Sequence, residues 1–369
     1  MKILIATGIF PPQIGGPATY SKLLQDKLPE KGFAVSVVNF GDVLKLPKII
    51  RHIAYFATVL RHGLSADIIY AQDPVSTGLP ALLAAKILRK KFYLKVVGDY
   101  AWEQWHVKSK NPNIKSLEEF QNERFDRKTE LRKKIERWVA QSAEKVIVPS
   151  EYLKKIVLLW GVDEKYIRVI YNGFTAPVIA ENKESLRKKL GMSEYTILSV
   201  GRLVPWKGFS VLIDTMPPLL ARIPNARLLI AGEGPERKVL EEKIHTLGLG
   251  EHVVLLGKLS QEDLFAYIKA SDVFVLNTAY EGFSHQILEV ATLGTPIITT
   301  PVGGNIEIIK DQVHGLLVPF NDGARLEEAC VLVSKDKALA DGFVRSAQEK
   351  VKEWSDERML ATTARELTA

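Results

Sequence analysis

The sequence has little cysteine, no long apolar run and none of several well-defined ligand motifs. Cys330 is the one cysteine among 369 residues. That excludes an intrachain disulfide and a cysteine-rich zinc site, and it fits a reducing compartment. No stretch reaches about 18 uncharged apolar residues; the best candidate, 77–88, holds Pro80 and Lys86, so a spanning helix is excluded. The apolar start, Ile3 to Phe10, runs into Pro11-Pro12 without a small-residue cleavage site. No signal peptide is therefore expected, and the expected location is cytoplasmic. Asp-x-Asp is absent, which argues against a metal held by that motif. The seven histidines show no His-x-x-x-His spacing and read as ordinary surface or core residues. Gly-x-Gly-x-x-Gly is also absent, against a nicotinamide dehydrogenase. No metal and no cofactor are expected.

What is present is an ordinary globular composition, 46% hydrophobic and 25% charged, with glycine (25) and proline (18) near average usage. The length suggests two domains. The net charge of +7 is uneven: residues 1–175 hold 28 Lys+Arg against 17 Asp+Glu, and the remainder holds 22 against 26. A basic first half could face an anionic membrane, nucleic acid or a charged substrate, or be a solvated basic surface. No nucleic-acid-binding module is recognisable, so nucleic acid is not an expected partner. The basic stretches 86–91 and 124–137 suggest a peripheral location at the inner face of the cell membrane, although charged faces of soluble helices would read the same.

Short apolar runs alternate with helical segments along the whole chain, which predicts parallel βαβ units. Residues 2–7, 33–40, 67–71, 92–97, 145–148 and 167–170 read as strands. The alternation pauses at 171–181 and restarts with strands at 195–200, 226–231, 253–256, 273–276, 296–299 and 315–318. The predicted class is α/β, with two Rossmann-like doubly wound domains facing a central cleft. Residues 1–175 and 176–350 are expected to form these two domains. Residues 351–369 read as a C-terminal helix that could return to the first domain. Residues 209–221 read as one helix and 100–106 as an aromatic loop. Ligands of such sheets bind beyond the strand C-termini, so those loops carry the chemistry.

Gly15-Gly16 follows the first strand and precedes a helix, where backbone amides and the helix dipole suit an anion. Gly201-Arg202, followed by Lys207-Gly208, offers a planar fork of donors and a compact point charge, which can converge on a diphosphate. Two solvated cations would give the same sequence. Glu281 and Glu289 flank Ser284, a plausible N-cap. Eight residues of helix would rise about 12 Å, comparable to the reach from a hexose to a nucleotide ribose, and carboxylates accept from sugar hydroxyls. Two exposed acids would again read alike. Val302-Gly303-Gly304 is a further strand–turn–helix segment, and Glu307 there complements the helix dipole.

These segments, with Pro11-Pro12, Gly232-Glu233-Gly234-Pro235 and Gly294-x-Pro296, resemble those of family 4 glycosyltransferases, retaining enzymes of GT-B fold, and the resemblance covers nearly the whole chain. It implies that 1–175 is the acceptor-side domain and 176–350 the nucleotide-sugar-binding domain, that Glu281 faces the reacting centre, Glu289 binds the ribose, and Arg202 and Lys207 stabilise the leaving diphosphate. It places Gly15, Gly16, Gly201, Gly234, Phe283, Ser284 and His285 around the sugar and phosphate, and Gly257, Lys258 and Leu259 near the base. Relatives carry a His after the fourth strand of the first domain. Here Val97-Gly98-Asp99-Tyr100 stands there, so Asp99 is expected to take an acceptor-side role. His285 replaces a usual aliphatic residue and leaves the donor sugar open.

The implied activity is transfer of a sugar, with retention, from a nucleoside-diphosphate sugar to an acceptor hydroxyl of a sugar or a lipid-linked acceptor, in glycan or glycolipid biosynthesis. The alternatives are another GT-B activity, such as a sugar-nucleotide epimerase or a phosphorylase, and a non-catalytic sugar-binding protein. A phosphorylase would need a pyridoxal-phosphate lysine, for which no convincing site is seen.

Overall fold

The computed structural model describes the chain except residues 14, 110–112, 178, 193 and 369, and the side chains of residues 48 and 49. It contains two compact units. The first comprises Met1–Ser109, Lys115–Asn172 and Asp356–Ala369, and the second is built on Gly173–Ser355.

In the first unit the order is β1 (Lys2–Thr7), α1 (Gly16–Lys27), β2 (Ala34–Asn39), α2 (Lys48–Gly63), β3 (Ile68–Ala71), α3 (Gly78–Leu88) and β4 (Lys91–Lys95). There follow α4 (Tyr100–Ser109), α5 (Leu117–Asn122), α6 (Arg127–Gln141), β5 (Lys145–Val148), α7 (Glu151–Leu159) and β6 (Ile167–Val169). The six strands pair in parallel in the order β2-β1-β3-β4-β5-β6. Ile3 to Ala6 of β1 and all of β3 are buried, as expected of strands covered on both faces.

The second unit begins with α8 (Lys183–Lys189), β7 (Thr196–Val200), α9 (Phe209–Asp214), α10 (Met216–Arg222), β8 (Arg227–Ala231), α11 (Arg237–Thr246) and β9 (Val253–Gly257). It continues through α12 (Gln261–Ala270), β10 (Val273–Leu276), α13 (His285–Leu293), β11 (Ile297–Thr299), α14 (Asn305–Ile308) and β12 (Leu316–Leu317), then α15 (Gly323–Lys335) and α16 (Lys337–Val351). Its parallel sheet runs β12-β11-β10-β7-β8-β9.

A last helix, α17 (Asp356–Thr368), belongs to the first unit. Met359, Leu360 and Leu367 pack with Tyr20, Leu24 and Leu28 of that unit's core. Glu366 accepts from Lys145 Nζ at 3.1 Å and Arg168 Nε at 3.2 Å, which ties α17 to the edge of the sheet.

Two local expectations are corrected. Residues 209–221 form two short helices rather than one. Pro217-Pro218 sits in the first turn of α10, where missing amide donors cost nothing but would break a continuous ladder. Residues 100–106 are helical, not a loop. Asp99 Oδ1 accepts the Trp102 N–H at 2.7 Å and starts α4. Trp102 is fully buried, and its Nε1 donates to Lys115 O at 2.8 Å.

Candidate functional site

In the second sheet the strand order reverses between β10 and β7. The connections from these two neighbours leave in opposite directions, and the crevice between them is where doubly wound sheets bind ligands. The loop after β7 supplies Arg202 and Lys207, and the loop after β10 supplies Glu281.

The two loops are stitched together by backbone and side-chain bonds. The Ala279 N–H donates to Trp206 O at 2.8 Å. Asn277 Nδ2 donates to Gly208 O at 3.0 Å, and Asn277 Oδ1 accepts the Asn321 N–H at 2.9 Å. Gly208 closes the turn with φ of +54°, and a Cβ there would lie 2.3 Å from Asn277 Nδ2. No side chain fits that position. Across this junction Lys207 Nζ donates to Glu281 Oε1. The two side chains are 12% and 16% exposed, so the pair is largely shielded from water. Arg202, on the same loop, is exposed and has no hydrogen bond or ion pair among the described residues.

Gly303-Gly304 sets the acid loop from behind. A Cβ on Gly303 would stand 2.0 Å from Glu281 O, and one on Gly304 2.3 Å from Gly282 O. The Gly304 N–H donates to Glu281 O at 2.9 Å. This glycine pair therefore lets one backbone lie against another and fixes where Glu281 begins.

Ser284 caps α13, its Oγ accepting the Ile287 N–H at 3.3 Å. The helix starts at His285, so the rise from there to Glu289 is about 6 Å, and loop rather than helix spans the rest of the interval between the acids. His285 is half-buried in the first turn. Glu289 is half-buried, with no hydrogen bond or ion pair among the described residues. Burial pushes its carboxyl up to about 7. Phe283 turns its ring into the interior, against Trp354 with centroids 5.5 Å apart, which leaves its backbone rather than its ring to face the crevice.

The other nominated residues of this unit lie beside the same sheet edge. Gly201 is buried directly after β7, and Gly234 packs where a Cβ would meet Leu203 O at 2.3 Å, so Gly234 lets two loops approach closely. Gly257 ends β9 with φ of +71°, its carbonyl accepting the Gly232 N–H at 2.8 Å. Lys258 is exposed and Leu259 half-buried beyond it.

Gly15, Gly16 and Asp99 belong to the first unit. Gly15 precedes α1, whose N-terminus has no side-chain cap and no acid in its first turn. Pro17 has no N–H and the Ala18 N–H donates to Gly15 O at 2.9 Å, so among the first three residues only the Gly16 amide lacks a partner among the described residues. Asp99, the residue expected on the acceptor side, stands immediately before α4. It is fully buried, and its second oxygen accepts from Gln121 Nε2 at 2.6 Å. Burial raises its carboxyl to about 6. Both oxygens serve protein donors, so Asp99 is a helix cap. His106 is likewise interior: Nε2 accepts the Lys115 N–H at 3.1 Å, and burial lowers the ring to about 4.

Sequence reasoning passed over Asn277 and Asn321. The available signal was a polar residue placed immediately after the apolar run of β10. Among the described residues, no three His, Cys, Asp or Glu side chains are grouped to hold a metal ion.

A doubly wound sheet with an acid–cation pair at its switch point defines a nucleotide- or phosphate-ester-handling protein of the α/β class. Two family models match this chain: "Glycosyltransferase Family 4" over residues 14–176 and "Glycosyl transferases group 1" over residues 181–350. The chain belongs to the family 4 glycosyltransferases, its architecture is of the GT-B class, and it is a glycosyltransferase. It is 29% identical to an uncharacterized glycosyltransferase of Methanocaldococcus jannaschii, over 96% of this chain and 94% of that one. It is 30% identical to a GDP-mannose-dependent α-(1-6)-phosphatidylinositol monomannoside mannosyltransferase of Mycobacterium tuberculosis, over 43% of this chain and 44% of that one. The crystal structure of HepE from Anabaena, in complex with UDP and glucose, matches it with a TM-score of 0.80 at 20% identity, over the full length of both chains. No helix among the described residues is long and apolar enough to cross a membrane.

Proposed function

We propose that the enzyme moves a sugar from a nucleoside-diphosphate donor to an acceptor hydroxyl with retention at the anomeric carbon, without a metal ion, in glycan or glycolipid assembly. The observation that carries this is the Lys207–Glu281 pair at the switch point. When a donor enters, its diphosphate attracts Lys207, and Glu281 is released to accept from hydroxyls of the sugar. Arg202 adds a second cation from the same loop. As the bond between the anomeric carbon and the phosphate oxygen breaks, its electron pair passes to the diphosphate, the acceptor hydroxyl oxygen bonds the anomeric carbon on the same face, and its proton passes to the departing phosphate oxygen. Fixed cations stabilise that charge without reorganising, which is the role a metal serves elsewhere. Glu289, an unpartnered acid beyond the cap of α13, accepts from the ribose. Gly15 and Gly16 line the sugar–phosphate end, and Gly257, Lys258 and Leu259 the base.

UDP with glucose in one structural neighbour, and GDP-mannose and a phosphatidylinositol mannoside in the name of one relative, make these donors and a lipid-linked acceptor the first to test. Peripheral attachment to an anionic membrane is part of the same proposal, supported by the basic first half of the chain.

The test is a thermal-shift panel of UDP- and GDP-sugars, followed by transfer assays with a chelator present. The true donor raises Tm by linkage. Proton NMR of the first product reports the anomeric configuration. An inverted product, or turnover abolished by chelator and restored by a divalent ion, overturns the proposal.

A further inference from the structure

We propose that the outer face of α2 and α3 is the surface by which the enzyme sits on an anionic lipid bilayer. This rests on the membrane attachment proposed above and locates it. Residues 43–66 and 74–98 contain no Asp or Glu, although acids make up 43 of the 369 residues. Those two stretches include α2 and α3, which pack against each other, with Gly63 so close to Leu88 that a Cβ would lie 2.8 Å from Leu88 Cδ1.

The inward side of α2 is accounted for by Tyr55, Val59 and Gly63, all buried. Its outward side should be polar in a helix that faces only water. Instead Ile50, Ile53 and, at the C-cap, Leu64 are 53%, 62% and 66% exposed, at spacings of three and eleven residues that keep one side of a helix, and Leu46 just before the helix is 39% exposed. On α3, Leu83 and Ile87 continue the patch, the latter 63% exposed. Cations lie beside it: Arg61 on α2, Lys86 on α3 and Arg89 at its end are all exposed. Lys86 Nζ lies 4.7 Å over the ring of Trp138, itself 41% exposed. Exposed aliphatic side chains with flanking cations, on two helices without acids, complement an interface of acyl chains beneath anionic headgroups.

The basic stretch 124–137 also exposes one aliphatic side chain, Leu131 at 58%, but differs in its cations and its acids. α6 turns Lys133 inward to donate to Phe120 O at 2.9 Å and Glu123 O at 2.8 Å, and Arg137 Nη2 to Gln121 Oε1 at 3.2 Å. It also carries Glu130 and Glu136. The structure thus separates two basic segments that sequence alone treats alike.

The test is sedimentation of the full chain with vesicles of equal parts phosphatidylglycerol and phosphatidylcholine, and of phosphatidylcholine alone, at low and high salt. The wild type is expected to bind the anionic vesicles and to be released by salt. Ile50→Glu with Ile53→Glu, and Lys86→Glu with Arg89→Glu, should each weaken binding at least about tenfold. Lys128→Glu with Lys134→Glu on α6, a matched charge change, should stay within about twofold. All variants should melt with the wild type, since every altered side chain is exposed. If the wild type binds and the α2 and α3 variants bind equally well, the face is wrong while attachment stands. Equal loss in the α6 variant also overturns the face. Absence of wild-type binding overturns both attachment and face. A dimer in light scattering that Ile50→Glu with Ile53→Glu dissolves would assign the patch to a second copy of the chain, and that too overturns it.

Discussion

Lys207 and Glu281 are 74 residues apart in sequence, and Lys207 Nζ donates to Glu281 Oε1 between two neighbouring strand ends. The pair stands where a donor sugar and its diphosphate are proposed to meet. Each side chain orients the other across the junction of the two loops.

Replacing Lys207 by Ala should lower kcat about 100-fold or more, because a cation at the developing diphosphate charge acts in the transition state. It should also leave Glu281 short of its partner and cost about 1–3 kcal/mol of stability. Lys207→Met with Glu281→Gln should recover much of that stability and none of the rate. Steady-state kinetics and thermal melts on the three proteins separate the two effects. Normal turnover in Lys207→Ala would remove Lys207 from the mechanism.

Gly303→Ala should displace the acid loop. Its φ of +53° disfavours any side chain, and the added methyl would lie 2.0 Å from Glu281 O. The conformation alone costs about 1–2 kcal/mol, and the clash adds to it. We expect a lower Tm together with weaker donor binding. Gly342→Ala in α16 is the contrasting case, with nothing within 4 Å of the new methyl. It should stabilise the protein by about 0.5–1 kcal/mol and leave donor binding unchanged. Equal behaviour of the two variants would contradict the packing described.

Burial holds the Glu289 carboxyl up at about 7. A carboxyl raised on folding takes up protons in the native state that the unfolded chain has already lost. Its contribution to stability is therefore full at low pH and declines as pH rises from the ordinary carboxylate range through about 7. Glu289→Gln should accordingly gain stability over the wild type at alkaline pH and gain none in mildly acidic solution. If ribose hydroxyls bind the ionised carboxylate, donor affinity in the wild type should rise through neutral pH, and this rise should vanish in Glu289→Gln. Titration calorimetry across that range reads both, and a pH-independent wild type would exclude Glu289 from the ribose site.

Asp99 caps α4 with one oxygen and accepts from Gln121 with the other. Asp99→Ala should therefore lower stability by about 1–2 kcal/mol through the lost cap. The accompanying fall in kcat, measured below the melting transition, should be less than about tenfold. A far larger loss of kcat with an unchanged Tm would return Asp99 to an acceptor-side role.

Much of the architecture was legible because parallel strands buried on both faces must be nearly continuous apolar runs. Ile3 to Ala6 and Val273 to Leu276 show this without ambiguity. The break at Pro217-Pro218 was legible too, from missing amide donors, and was passed over in favour of helical periodicity. The helix at 100–109 was legible only in part: Asp99 is a local N-cap residue that was passed over. Its sequence is dense in aromatics after Gly98, and its first turn is held by Asp99 and by Glu136, whose Oε1 accepts the Ala101 N–H at 3.1 Å from 35 residues away. A cap supplied from so distant a residue leaves no local trace.

By itself the sequence determined the alternation of strand and helix, and hence which residues stand at strand C-termini. It also determined the chemistry available there: two cations framed by glycines, and two acids around a serine cap. Only the tertiary structure decided that Lys207 meets Glu281, that Gly303-Gly304 serves as a seat for the acid loop, and that Asp99 faces the interior. The reason is the order of the second sheet. Strands distant in sequence become neighbours through hydrogen bonding and burial, and such pairings are set by the free energy of the whole packed core rather than by the residues at either strand end.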